Sequence, residues 1–117
     1  MKSAKDQFEI IVDDLFAEAK RDYVGLWQIV SRLSRFEDPP TGLLLQRNVL
    51  FIVARLLERG LEPGQLATAG GFERWTNEGS TDVLERIANE WKELSHAPGI
   101  GDICWFNLKQ SDQGQSS

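Results

Sequence analysis

Reactive side chains are scarce in this chain. It has one cysteine, Cys104, and one histidine, His96, among 117 residues. A lone cysteine excludes an internal disulfide and fits a reducing compartment. One Cys and one His also fall short of a zinc site without several carboxylates at suitable spacing. Long apolar runs are missing too. The longest, Val49 to Ala54, is far too short to span a bilayer. Met1 to Asp14 breaks its apolar residues with acids, which is unlike a signal peptide. The expected location is the cytoplasm, with no membrane contact.

Positive charge is in deficit, with 13 Lys and Arg against 18 Asp and Glu, a net charge of −5. Phosphate backbones and anionic membranes repel such a surface, which argues against non-specific nucleic-acid binding. The bland role of the charge is solubility. What is abundant is ordinary for a globular protein: 41% apolar and 26% charged residues, with four Trp and six Phe as large core pieces. This length suits one domain that buries roughly two-thirds of its unfolded surface. The expected limits are 1–108 for the domain and 109–117 for a flexible tail rich in Gln, Ser and Asp.

Apolar periodicity lays out the elements. Phe8, Ile11, Val12, Leu15, Phe16 and Ala19 form one helical stripe. It continues in phase through Tyr23, Leu26, Trp27, Val30 and Leu33. The pattern predicts one helix to about Arg35, or a restart with a bend at Asp22 near Gly25. Glu37-Asp38-Pro39-Pro40-Thr41-Gly42 is a breaker, with Thr41 as cap of a second helix. That helix buries Leu45, Val49, Ile52, Val53, Leu56 and Leu57 and stops at Arg59-Gly60. Leu61-Glu62-Pro63-Gly64 reads as a turn, with a helical turn at Gly64 to Ala67. Phe72 to Trp75 alternates as a short strand. A third helix, capped by Ser80, Thr81 or Asp82, carries Val83, Leu84, Ile87, Ala88, Trp91 and Leu94 and ends at His96 to Gly99. Ile103 to Leu108 alternates again. A strand needs a partner for its backbone groups, so Phe72–Trp75 and Ile103–Leu108 are expected to pair. The expected fold is α+β and mostly helical: three main helices with a small two-stranded sheet near the C-terminus.

No stretch carries a strong chemical motif. His96 closes a helix, where a histidine is electrostatically at home. Cys104 lies in an apolar strand and reads as a small buried hydrophobe. Glu9 and Asp13, like Asp14 and Glu18, are one turn apart, and with lysines nearby they read as a solvated face. Gly70-Gly71 and Gly99-Ile100-Gly101-Asp102 lack the residues of a phosphate loop and read as turns. Arg47, Arg55, Arg59 and Arg74, with Arg32 and Arg35, are the candidates for a basic patch. The segment following the second helix is too short and insufficiently basic for a DNA-reading helix. Trp27 and Trp91 lie on apolar stripes and read as core. Trp75 and Trp105 belong to a minimal sheet that buries one face, so aromatics on its other face would invite a partner.

Several segments together carry a resemblance. They are Asp22-Tyr23-Val24-Gly25-Leu26-Trp27-Gln28-Ile29-Val30, Arg55-Leu56-Leu57-Glu58-Arg59-Gly60-Leu61 with Gly64 and Leu66, Gly71-Phe72 with Trp75, Val83-Leu84-Glu85-Arg86-Ile87 with Glu90-Trp91, and Gly99-Ile100-Gly101-Asp102-Ile103-Cys104-Trp105-Phe106. As a set, over Asp22 to Phe106, they resemble a small bacterial domain family of unknown function, DUF596-like. The resemblance implies a compact α+β domain without known activity, similar in size and style to cytoplasmic immunity proteins of toxin systems.

The leading expectation is therefore a non-catalytic, cytoplasmic protein-interaction module, immunity- or antitoxin-like, without cofactor or metal. Its contacts would be Trp75, Trp105, Glu9 and Asp13. The alternative is a small-ligand binder or enzyme with a cleft near His96 and Asp102. A transcription-associated factor would need its arginines on one exposed face. A homodimer through the first helix is a further option.

Overall fold

The computed structural model describes residues 4–75 and 79–109. Eight elements follow one another: α1 (Ala4–Ala19), β1 (Val24–Gly25), α2 (Leu26–Leu33), α3 (Gly42–Glu58), β2 (Leu61–Leu66), β3 (Phe72–Arg74), α4 (Ser80–Lys92) and β4 (Trp105–Leu108). The fold is α+β, but the expected three helices and two-stranded sheet are corrected. Among the described residues there are four helices and one four-stranded antiparallel sheet, in the order β1-β4-β2-β3. Phe72–Arg74 and Trp105–Leu108 do not pair with each other; they flank β2 on opposite sides.

The missed strand is the one that reads as a turn. Gly60, at φ 104°, makes the reversal directly after α3, so Leu61 already starts β2. Pro63 has no N–H to donate, yet it sits in an interior strand. Its carbonyl accepts from Trp75 N–H (2.9 Å), so its nitrogen faces the end of β3 rather than β4. The missing donor falls where pairing with β3 stops, and the β4 ladder is intact.

Of the two readings of the first helical stripe, an unbroken run to about Arg35 or a restart at Asp22 with a bend, the unbroken run is corrected: α1 stops at Ala19 and α2 restarts at Leu26. The chain leaves α1 through tight turns, Arg21 N–H to Glu18 O (2.9 Å) and Asp22 N–H to Glu18 O (3.0 Å). Val24–Gly25 then becomes strand, paired Val24 with Phe106 and Gly25 with Trp105. Leu26 N–H donates to Cys104 O (3.1 Å) and Gly25 N–H to the Gln28 side-chain oxygen (2.8 Å), so the open N-terminus of α2 is partly satisfied. Periodicity hides this break because Val24 and Leu26 are both buried, and two extended residues barely disturb the helical phase. Elsewhere, Thr41 is the N-cap residue of α3 but makes no side-chain capping bond. Gly79, rather than Ser80, Thr81 or Asp82, occupies the cap position of α4, and its N–H reaches Asp82 Oδ2 at 3.4 Å.

Val24, Leu61 and Phe106 point to one face of the sheet. They form a single buried cluster with Ile11, Val12 and Leu15 of α1, Leu26 and Ile29 of α2, Val49, Ile52 and Val53 of α3, and Val83 and Ile87 of α4. The apolar stripe of α1 thus packs into the core of its own chain. Just before β4 the backbone is strained. Ile103 has φ 67°, and Cys104 N–H closes onto Asp102 O at 2.8 Å. This is a γ-turn of positive φ, rare for a β-branched residue. Gln65 Nε2 donates to the Ile103 carbonyl at 2.6 Å, tying the turn to β2. Of the expected tail, 110–117 lies outside the described residues; Lys109 N–H donates to Gly60 O (2.9 Å).

Candidate functional site

The acidic face of α1 is not an open surface. Glu9 accepts both Nε (2.8 Å) and Nη2 (3.2 Å) of Arg55, Asp13 pairs with Arg59, and Asp14 with Arg32 at 3.2 Å. The Arg55 hydrogen bond lowers the Glu9 carboxyl from its ordinary value; burial opposes it, and the Arg55 charge reinforces it. The same contacts remove the basic patch. Arg55 and Arg59 are taken up by α1, and Arg74 faces Glu62 at 3.6 Å. The acidic stripe that reads as a solvated face and the arginines that read as a candidate basic patch are each other's partners, Glu9 and Arg55 being 46 residues apart.

His96 and Asp102 do not make a cleft. His96 is exposed, with Nδ1 at 2.7 Å from the Ala97 carbonyl oxygen. Asp102 accepts the Gly99 N–H through Oδ2 at 2.8 Å, closing its own turn. Cys104 is buried, and burial, helped by Glu90, pushes its thiol far above the usual range; it is no nucleophile in this state. The described residues bring together no group of three His, Cys, Asp or Glu fit to hold a metal ion. A cleft of about 410 Å³ lies between β2, β3 and the start of α4, lined by Glu62, Arg74, Trp75, Ser80 and Lys109. Within it Arg74 faces Glu62, and the N–H of the cap residue Gly79 reaches Asp82.

The tryptophans divide differently from expectation. Trp75 is 8% exposed and belongs to the core, with the Arg86 guanidinium 3.7 Å from its ring centroid, so it is no exposed contact. Trp105 alternates with the buried Phe106 and lies on the opposite face of the sheet, half-buried. On that outer face it stands between Gly25 and Gly64, its neighbours in register. Both glycines make room for rings. A Cβ on Gly25 would strike the Trp27 indole and come within 3.3 Å of Trp105 Cε3. A Cβ on Gly64 would strike the Glu73 carbonyl and lie 2.7 Å from Phe72 Cζ. Tyr23 and Phe72 stack across this face at 5.5 Å and 15°. Tyr23, Trp27, Phe72 and Trp105 thus make an aromatic platform over two side-chain-free positions.

Trp27, read as core, belongs to this platform. Tyr23, which lies on the apolar stripe in the sequence, and Phe72, a short-strand residue, join it. The available signal was alternation about Gly25 and Gly64, which becomes legible only when both are known to be strand residues flanking Trp105. No protein-family model matches the chain, and no curated protein or solved structure matches it.

Proposed function

We propose that this protein is a non-catalytic interaction module that docks a partner protein on the aromatic outer face of its sheet. One observation carries the reading: Tyr23, Trp27, Phe72 and Trp105 gather on the face opposite the helices, over glycines that leave them room. Clustered aromatics on a solvent-facing surface are the usual anchors of protein interfaces. The contacts proposed at Glu9 and Asp13 give way to this face, because both acids are paired to α3. An immunity- or antitoxin-like inhibitor in the bacterial cytoplasm is the kind of module that the sequence resemblance favours.

The test is affinity capture from native lysate with three baits: the wild type, Phe72→Lys on the platform, and Leu44→Lys on the exposed side of α3. The expected result is a stoichiometric protein held by the wild type and by Leu44→Lys but released by Phe72→Lys. Identical retention by all three, or none above background, overturns the reading.

A further inference from the structure

The aromatic face of the sheet has a counterpart among the helices. With about 3.6 residues per turn, the side of α3 opposite the buried Val49, Ile52, Val53 and Leu56 carries Leu43, Leu44, Arg47, Phe51, Ala54 and Glu58. A surface helix normally turns polar and charged residues that way. Here four of the six are apolar, and Leu43 and Leu44 are 76% and 56% exposed. Phe8 of α1 packs on Phe51 at 5.7 Å and widens the apolar strip. A groove of about 540 Å³ runs beside it, lined by Phe8, Arg47, Asn48 and Phe51.

The spacing is that of a helix-packing seam. Leu44, Arg47, Phe51, Ala54 and Glu58 follow one another at intervals of three, four, three and four, the repeat that keeps one edge of a helix against another. Ala54 is small, so a second helix can approach closely at the middle of the strip. The two charges say what lies across. Arg47 is exposed and has no acidic partner among the described residues. Glu58 is exposed, and it shares Arg55 with Glu9, which holds that guanidinium by two bonds. Arg47 lies four residues before Phe51, and Glu58 lies four after Ala54. A two-fold axis across α3, midway between Phe51 and Ala54, therefore carries Arg47 of one copy to Glu58 of a second and Phe51 to Ala54. Each contact occurs twice, as an isologous interface requires. Leu43 and Leu44 then lie over the far end of the second copy's helix, beside Leu57. Parallel helices would instead set Arg47 against Arg47. The net charge of −5 opposes self-association in general, but on this strip the signs balance.

We propose that the protein forms a two-fold dimer through the outward side of α3, with the two helices antiparallel, Arg47 of each copy paired to Glu58 of the other, and Phe51 packed on Ala54. The interface leaves the aromatic face of the sheet free, so dimerisation and partner docking are separate properties.

The test is sedimentation velocity on the full chain over a concentration series. A reversible dimer is expected for the wild type. Arg47→Glu sets acid against acid at both ends of the seam, and Glu58→Arg sets cation against cation. Each is expected to weaken the dimer about tenfold or more. Mixed together, the two variants are expected to dimerise with one another, because every reversed charge then meets its opposite. A variant that merely misfolds cannot show that recovery. Should Glu58→Arg fold poorly by circular dichroism for want of its Arg55 contact, Leu44→Lys at an exposed position supplies a second disruptive variant. It is expected to lose the dimer while still retaining a partner captured on the sheet.

A wild type that stays monomeric at every concentration overturns the proposal. So does a dimer that is equally tight in Arg47→Glu or Leu44→Lys, or a failure of the two folded charge variants to associate on mixing. A monomeric wild type that still holds a lysate partner released by Phe72→Lys would overturn the dimer and leave the docking face standing.

Discussion

Gly64 is the residue with least freedom to change. Its missing Cβ is what lets Phe72 fold over β2, and the obstruction includes backbone, the Glu73 carbonyl and Arg74 Cα at 2.9 Å. Backbone cannot rotate away as a side chain can. Gly64→Ala is expected to cost about 1–3 kcal/mol, read as a lower denaturant midpoint. Gly25→Ala meets the Trp27 indole and Trp105, so it is expected to disturb the platform, seen as a change in tryptophan emission. At Glu9 the expectation concerns pH. Its folded pKa is depressed by Arg55, so the bond stabilises above the unfolded carboxylate pKa and is lost as pH falls through that range and below. A double-mutant cycle of Glu9→Gln and Arg55→Met is expected to give a small favourable coupling near neutrality that vanishes in acid. Cys104 is expected to resist a thiol reagent in the native protein and to label at a rate set by opening.

Among the elements, the stripes of α3 and α4 were the most legible, because an unbroken 3.6-residue stripe has few alternative readings, although the cap of α4 falls on Gly79 rather than on Ser80, Thr81 or Asp82. The α1–β1–α2 segment was not, since a two-residue strand inserted between helices keeps apolar residues nearly in phase. Nor was β2, because Pro63-Gly64 carries the chemistry of a turn while tertiary pairing with β3 and β4 overrides it. The platform was legible only in part. Trp105 could be singled out from alternation, but Trp75 is drawn into the core by its place after β3, and Trp27 is drawn out of it by the register of Gly25. The weak point of α4 is its start. Gly79 holds the cap position without a side chain, and a Cβ there meets nothing within 4 Å. Gly79→Ser, which supplies a capping hydroxyl, is expected to raise the thermal midpoint, corresponding to a few tenths of a kcal/mol.

For the whole molecule, the buried cluster draws on every helix and on three of the four strands described as well as Trp75 after the other. Phe106, fully buried at the centre of the sheet, is its largest wholly enclosed side chain. Phe106→Ala is expected to cost about 3–5 kcal/mol, measured by equilibrium unfolding. The central position of β4 also has a consequence in time. Both its neighbours, β1 and β2, are made earlier in the chain, and among the described residues Val24–Gly25 bonds to no other strand. On the ribosome, α1 to α4 can emerge and collapse, but the sheet waits for Trp105 to Leu108 to clear the exit tunnel. Until then the Leu61–Leu66 edge and its apolar face stand open, and a nascent chain stalled before Trp105 would be a substrate for chaperones rather than a folded intermediate.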